Sequence, residues 1–241
     1  MLVKLDHPAI LTKAVEIISE LVTEVRIKIS ETGLGITAMD PANVAMIGFK
    51  IPRTAFSAFE TGEEVLGINL DNLKRILKRC GTNSSLIFEK KDNLLEIQIE
   101  DRIKRIFTLN LIEIDSEDKE IPNLEYSSKV EIASVDLIAA VEDCAIVADA
   151  CKFEIKDNKF IIQAKGLNST LSEFSSDEAT IEAENCKSKY SLEYLQKFVK
   201  GSKLSEKTLL KFAEDHPLRI DIQTAQIGLS FILAPRVETE D

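Results

Sequence analysis

The chain has 241 residues, which suits one large domain or two domains of ordinary size. Hydrophobic residues make up 44% of the chain and charged residues 29%, a composition typical of folded rather than disordered proteins. The net charge of −11 repels nucleic acid and anionic membranes at long range, so any contact with DNA requires a local basic patch.

Neither a membrane span nor a secretion signal is predicted. No apolar run approaches the roughly 20 residues that a membrane helix needs, and residues 1–6 lack the apolar stretch of a signal peptide. We therefore expect the protein to stay in the cytosol or the nucleus. The four cysteines are widely spaced and form no C-x-x-C pair, which predicts reduced, buried thiols.

The first predicted element is an amphipathic helix, followed by strands. Apolar residues with helical spacing are Leu11, Ala14, Val15, Ile18, Leu21 and Val22. Alternation over Val25–Ile29 predicts a half-buried strand. The glycines of Gly33–Gly35 are interpreted as a β-turn between two strands, because the third glycine and the following helix of a dinucleotide-binding loop are missing.

A second short helix is predicted over Ile68–Arg79, with its apolar face at Leu70, Leu73 and Leu77. A strand pair follows, Leu86–Lys90 with Leu94–Ile99, around an Asp-Asn turn. After these elements comes the charged, glycine-free run Asp115–Glu120, followed by Ile121 and Pro122, where alternation stops. This run is interpreted as an exposed connector over residues 115–126, between domains at 1–114 and 127–241.

The second half repeats the plan of the first. Residues 11–40 align without a gap on residues 137–166, and the apolar rhythm of Leu137, Ala140, Val141, Cys144 and Ala148 matches that of the first helix. A fourth helix is predicted over Tyr190–Gly201. The predicted fold is therefore α+β, made of two topologically similar domains, each with antiparallel sheets and two helices on one face.

No pattern of catalytic residues was found. His7 and His216 each precede a proline and lie far from any cysteine or carboxylate pattern typical of a metal site. The sequence also lacks the phosphate-binding, nucleophile-elbow and zinc-protease motifs. We therefore expect a protein that is not an enzyme, with no catalytic residue, no metal and no cofactor.

Charge is sorted by helix. Lys74, Arg75, Lys78 and Arg79 form two i, i+4 basic pairs opposite the apolar face of the second helix. The fourth helix has a sparser set at Lys197, Lys200 and Lys203. Such faces can neutralise phosphates, although an ordinary solvated helix face is the alternative interpretation. The first helix offers Lys13 among acidic residues, and the third helix is acidic.

Four segments resemble one known family. They are Gly35–Asp40 with Val44, Gly67–Leu70 with Lys74–Lys78, Ile121-Pro122 with Tyr126-Ser127, and Leu233–Val237 running into the acidic tail Glu238–Asp241. Together with the duplication, these segments resemble the proliferating cell nuclear antigen family of archaeal and eukaryotic DNA sliding clamps over essentially the whole chain.

The resemblance implies a trimeric ring that encircles duplex DNA and is loaded by an ATP-dependent clamp loader. Such a ring tethers DNA polymerase, ligase and flap nuclease as a processivity factor in replication and repair, in the archaeal cytoplasm on the nucleoid or in a eukaryotic nucleus. Inner-surface positions of the family, with their basic neighbours, correspond to Lys13, Lys74, Arg75, Lys78, Arg79, Lys197 and Lys200. Ala139 and Glu142 stand where the family often has arginine.

The resemblance also implies a groove that receives short peptides with a glutamine, an aliphatic residue and two aromatic residues. Its positions correspond to Met39, Asn43, Val44, Met46, Ile121, Pro122, Pro217, Ile232, Leu233, Ala234, Pro235 and Val237. Core packing is the alternative role for most of them. Asn43 replaces a frequent histidine and Ile232 an occasional tyrosine, so peptide preference is expected to differ from that of relatives.

Subunit contacts in the family pair edge strands, here Lys104–Leu111 and Leu167–Phe174. The apolar residues of these segments are Ile106, Phe107, Leu109, Leu111, Leu167, Leu171 and Phe174. Whether the partner subunit is identical or a paralogue stays open. The alternatives to a homotrimeric clamp are a specialised subunit of a heterotrimeric or checkpoint-type ring, and a monomeric DNA-binding processivity module.

Overall fold

The computed structural model describes residues 1–115 and 119–236, in two compact units. The first unit comprises Met1–Pro41, Ile47–Ile121 and Thr224–Leu229. The second unit takes in Ala42–Met46, Pro122–Gln223 and the described residues from Ser230 onward. Because each unit includes a short segment from the other half of the sequence, the limits 1–114 and 127–241 stay predictions.

The described part of the first half contains two α-helices, nine strands and one 3-10 turn at Arg53–Ala55. In chain order they are β1 (Leu2–Leu5), α1 (Ala9–Ile18), β2 (Glu24–Ser30), β3 (Gly33–Met39), β4 (Ala45–Pro52), β5 (Ala58–Glu60), β6 (Glu64–Asn69), α2 (Leu70–Leu77), β7 (Ser85–Lys91), β8 (Leu94–Glu100) and β9 (Lys104–Asn110). One sheet has the order β5-β1-β7-β8-β9, and the strands β3, β2 and β6 are neighbours in another. Within the first sheet β1 pairs antiparallel with β5 and β7, and β8 with β7 and β9, while in the second sheet β2 pairs antiparallel with β3 and β6.

The second half repeats this order. Its elements are β10 (Ser128–Ala133), α3 (Ser134–Val147), β11 (Ala150–Lys156), β12 (Lys159–Lys165), β13 (Ser169–Phe174), β14 (Ala179–Ala183), β15 (Cys186–Ser191), α4 (Leu192–Ser202), β16 (Lys207–Phe212), β17 (Leu218–Gln223) and β18 (Gly228–Leu233). The strands β13-β12-β11-β15 form one sheet, and β14-β10-β16-β17 are neighbours in another. The predicted α+β class is confirmed.

The duplication predicted from sequence is visible strand by strand. Adding 126 to the bounds of β2 and β3 gives the bounds of β11 and β12. The helices diverge more, since α3 has 14 residues and α1 has 10. Other strands diverge too, since β4 has 8 residues and β13 has 6. The offset predicted from the sequence is therefore kept most closely in the first hairpin of each half, β2 with β3 and β11 with β12.

The first helix is shorter than its apolar pattern predicts. Leu21 and Val22 carry the predicted stripe beyond Ile18 and are buried, but they lie outside the helix. After Ile18 the backbone tightens to i, i+3 hydrogen bonds, from Glu20 N–H to the Ile17 carbonyl and from Leu21 N–H to the Ile18 carbonyl. Apolar spacing alone does not distinguish this tightened turn from a continuing helix.

The core of the second unit is built around aromatic rings. Phe153 on β11 lies edge-on to both Phe160 and Tyr190, at centroid distances of 5.5 Å in each case. Phe212 on β16 lies 5.9 Å from Phe160. All four rings are fully buried, so the faces of β11 and β15 that carry them point inward and the alternate residues of these strands point outward.

The described residues between Leu111 and Ser127 form neither helix nor strand. Residues 116–118 of the predicted connector lie outside the described part of the chain. Among the described residues, none of the helices is long and apolar enough to cross a membrane.

The prediction of a turn at Gly33–Gly35 is wrong, because both glycines lie within β3. The turn is formed by Glu31 and Thr32, which separate β2 from β3. Gly33 has a φ of +136°, and a Cβ atom there would lie 2.1 Å from the Ile51 carbonyl oxygen. A side chain at Gly33 is therefore excluded by both backbone conformation and space.

Gly33→Ala should lower the free energy of unfolding by about 3 kcal/mol, since it combines a strained φ with a backbone clash. Gly35→Ala is the matched control on the same strand. Its Cβ would lie 3.6 Å from the nearest atom, the Phe49 carbonyl oxygen, so we expect a change below about 1 kcal/mol. Urea unfolding followed by circular dichroism measures both, and equal destabilisation would contradict the assignment.

Candidate nucleic-acid and partner-peptide surfaces

The second helix has a buried apolar face and a cationic outer face. Leu70, Leu73 and Leu77 are at most 2% exposed. The Asn69 side chain caps the helix by accepting a hydrogen bond of 3.1 Å from Asn72 N–H. Because the leucine stripe is fixed against the core, the basic residues between its members have to point away from it.

Two of the four predicted cations of α2 turn toward neighbouring polar groups. The Lys74 ammonium lies 2.8 Å from the Asp71 carboxylate and donates to the Ser19 hydroxyl at 3.0 Å. The hydrogen bond from Lys74 and its charge hold the pKa of Asp71 below its usual value. The Lys78 ammonium lies 3.2 Å from Glu16 on α1. These two lysines are partly neutralised within the first unit.

The remaining cations of this surface are more open. Arg75, Arg79 and Lys13 are exposed, and no side-chain ion pair joins them to any residue that the structure describes. The Arg79 carbonyl accepts a hydrogen bond of 3.0 Å from the Arg105 guanidinium, which ties the end of the helix to β9. The helix ends at Leu77, two residues before the predicted end, and Lys78 and Arg79 lie in the turn that follows. Arg75 on α2 and Arg79 in this turn are therefore the groups best placed to contact an external phosphate.

The helices of the second unit offer less positive charge. Lys197 on α4 lies 3.1 Å from Glu193 and 5.3 Å from the centroid of the Tyr194 ring, while Lys200 and Lys203 are exposed. The helix α3 contains no lysine or arginine. Its exposed residues are Val135, Asp136, Ala139, Glu142, Asp143 and Ile146. The two units therefore present unequal helix faces.

Several predicted groove residues come together in the second unit. The Ala234 N–H donates a 2.9 Å hydrogen bond to the Val44 carbonyl, which places the segment 42–46 beside the end of β18. Val44 is 37% exposed, and Pro122, Pro217, Ala234 and Pro235 are partly exposed. Asn43 is exposed and has a positive φ of 58°, a conformation that asparagine tolerates better than most residues.

The other predicted groove residues have different positions. Three of them are buried, with exposed fractions of 9% for Met46, 6% for Ile232 and 1% for Leu233, so they belong to the core beneath the surface. Met39 and Ile121 belong to the first unit and are partly exposed. Val237 lies outside the described residues.

An aromatic pair beside Pro217 was missed as part of this surface. The rings of Tyr126 and His216 meet edge-on at 5.5 Å, and the His216 carbonyl accepts a 2.7 Å hydrogen bond from the Tyr190 hydroxyl. Burial raises the pKa of Tyr126 to about 12. The Tyr126 hydroxyl has no hydrogen-bond partner among the described residues. Tyr126 was visible in the sequence, but its contact with a residue 90 positions away was not.

The two predicted contact strands both lie at sheet edges. The strand β9 is the last of its five-stranded sheet, and β13 is the last of its four-stranded sheet. Ile106, Leu167 and Leu171 are exposed at 52%, 105% and 57%. Leu109 and Phe174 are buried, because they point into the core of their own unit, and Phe107 and Leu111 are partly exposed.

The described residues contain no group of three or more histidine, cysteine or acidic side chains that could hold a metal ion. All four cysteines are free. Cys144, Cys151 and Cys186 are buried, as predicted, while Cys80 is partly exposed.

Family models match both halves of the chain. The model described as proliferating cell nuclear antigen, N-terminal domain, matches residues 1–120, and the model of the C-terminal domain matches residues 120–237. The chain belongs to the proliferating cell nuclear antigen family.

Relatives in this family match nearly the full length. The chain is 36% identical over 236 residues to the DNA polymerase sliding clamp of Pyrococcus horikoshii, covering 93% of each chain. It is 37% identical over 229 residues to that of Thermococcus onnurineus, covering 91% of this chain and 92% of the relative. The crystal structure of proliferating cellular nuclear antigen from Entamoeba histolytica superimposes with a TM-score of 0.91 at 24% identity, over 98% of each chain, and shares the fold.

Proposed function

We propose that the chain is a subunit of a DNA sliding clamp, which closes into a trimeric ring around duplex DNA and tethers DNA polymerase, ligase and flap nuclease. The match to both family models, with relatives named DNA polymerase sliding clamp, carries this proposal. The role is processivity in replication and repair, without catalysis by the clamp itself. An ATP-dependent loader opens and closes the ring.

A closed ring accounts for the acidity of the chain. A protein with a net charge of −11 is repelled by DNA at long range, so electrostatic attraction does not bring it to DNA from solution. A ring is held on DNA by topology, so its inner surface needs only a weak and sequence-independent attraction. Exposed Arg75 and Arg79 supply such an attraction, and tight binding would impede sliding.

The subunit contact is proposed to join β9 of one subunit to β13 of the next. Ile106→Glu should reduce the native mass at micromolar concentration from three chains to one, because a carboxylate would be buried at the contact. The same variant should lose retention on nicked circular DNA after loading. Light scattering and gel filtration of the loaded DNA measure the two effects.

Val65→Glu is the matched control, since Val65 is 48% exposed on β6, another strand at a sheet edge of the first unit. This variant should keep both the ring mass and the retention. Cutting the circle should release the wild-type ring. Equal retention on circular and linear DNA would instead support a monomeric module held by charge.

A mixed ring is the second candidate, and the acidic helix α3 favours it. In a ring made only of this chain, every subunit presents the same α3 face, which carries acidic and uncharged residues. In a mixed ring, the paralogous subunits could carry cations at the corresponding helix. Recovery of one polypeptide in native rings would exclude the mixed ring.

The α2 surface is proposed to contact the DNA backbone mainly through arginine. Arg75→Glu combined with Arg79→Glu should shorten the lifetime of loaded rings on circular DNA. The logarithm of the DNA-binding constant falls linearly with the logarithm of the salt concentration. The double variant should reduce the size of that slope by at least about 2, one unit for each phosphate contact. Lys50→Glu with Arg53→Glu makes the same change in net charge at exposed positions outside α2. An equal loss in that control would refute a specific role for α2.

The surface around Val44 and Ala234 is proposed to receive the partner peptide. Val44→Asp should weaken binding of a peptide with a glutamine, an aliphatic residue and two aromatic residues by at least about tenfold, because a few apolar anchors carry most of the binding energy. Leu94→Asp is the control, as Leu94 is 38% exposed and Val44 is 37% exposed. Fluorescence anisotropy of labelled peptide measures both, and unchanged binding in Val44→Asp would rule out this groove.

A further inference from the structure

The second unit contains a pocket whose charge is opposite to that of the chain. It has a volume of 580 Å³, and its charged lining residues are Lys152, Lys165, Lys187, Lys189, Arg236 and Asp215. Five cations and one carboxylate therefore converge within a chain of net charge −11. Neither the DNA-facing helices nor the peptide groove accounts for this concentration of positive charge.

The register of the sheet brings the cations together. Lys152 on β11 is the direct cross-strand neighbour of Lys189 on β15, and Lys187 lies two residues before Lys189 on the same side of β15. Directly opposed like charges destabilise a strand pair. Glu154 offsets part of this repulsion, because its carboxylate lies 2.7 Å from the Lys152 ammonium.

Two cations of the pocket form no ion pair with the described residues, although Glu154 is the cross-strand neighbour of Lys187. Lys165 and Lys187 have no ion-pair partner among residues 1–115 and 119–236. Arg236 lies 3.0 Å from the exposed Asp149 carboxylate, and its backbone N–H donates a 2.7 Å hydrogen bond to the Lys189 carbonyl. This bond joins the segment after β18 to β15, so the pocket is a fixed part of the second unit.

The pocket is continuous with the candidate groove. Pro235 lines the pocket and also belongs to the predicted groove. Asp215 lines it too, and its N–H donates to the Lys187 carbonyl at 3.1 Å. The Ser188 hydroxyl donates to the His216 carbonyl at 3.3 Å, directly before Pro217. An extended peptide anchored near Pro235 could therefore place its next few residues in the pocket.

We infer that this pocket binds an acidic stretch of the partner peptide, adjoining the residues that occupy the groove. This inference rests on the proposed peptide groove and adds a charge preference to it. A short peptide is favoured over duplex DNA, because the pocket is concave and adjoins the proposed peptide groove at Pro235.

The test compares groove peptides that differ only in a flank of three glutamates or three glutamines, placed before the motif in one pair and after it in another. In one of the two pairs, the glutamate-flanked peptide should bind about three- to tenfold more tightly at low salt than the peptide with the glutamine flank, as expected for charges at the rim of an interface. Lys187→Gln with Lys189→Gln should abolish that difference and leave the affinity for the glutamine-flanked peptides unchanged.

Lys129→Gln with Lys207→Gln removes the same charge from exposed positions on β10 and β16 and should preserve the preference. Equal affinity of glutamate- and glutamine-flanked peptides in both pairs would overturn the inference and leave the groove intact. Failure of all peptides to bind would overturn the groove itself. If a short DNA duplex binds the unloaded protein and loses affinity in the Lys187→Gln, Lys189→Gln variant, the pocket is a nucleic-acid site instead.

Discussion

Burial of one apolar face of each helix decides which charges the chain can offer to a partner. With Leu70, Leu73 and Leu77 fixed in the core, the four cations of α2 and of the turn that follows it are confined to one outward face. Lys74 and Lys78 lie on the side of that face nearest α1 and meet Ser19 and Glu16. Arg75 and Arg79 lie one position further round the helix and stay exposed, so packing determines which cations are most available.

The same reasoning applies to the sheets. Phe153 and Tyr190 point inward, so their neighbours Lys152 and Lys189 point outward on adjacent strands. The aromatic core and the basic pocket therefore lie on opposite faces of the same two strands and depend on the same strand register. A shift of one residue in the strand register would bury lysines and expose aromatic rings. Burial of the rings therefore fixes the register, and the like-charged lysines stay neighbours although they repel each other.

Local patterns were sufficient to predict the helices, the strands β2, β7 and β8, and the duplication, because these features repeat at short intervals along the chain. They were not sufficient for partners distant in sequence. The sequence around Val44 does not indicate the hydrogen bond between its carbonyl and the Ala234 N–H. The sequence around Tyr126 likewise does not indicate the ring contact with His216. The basic pocket was missed for the same reason, since Lys152, Lys165, Lys187 and Arg236 are dispersed over four segments of the sequence. The glycines of β3 were misassigned because a close backbone approach from Ile51 is a tertiary constraint.

The exposed edges of β9 and β13 also have a consequence for the newly made chain. Each edge presents unpaired backbone groups with an apolar side chain at its centre, Ile106 on one and Leu171 on the other. Such an edge can template pairing with any extended segment, including that of an unfolded neighbour. In the proposed ring, pairing of β9 with β13 of the next subunit would cover both edges and so protect the newly made chain from aggregation.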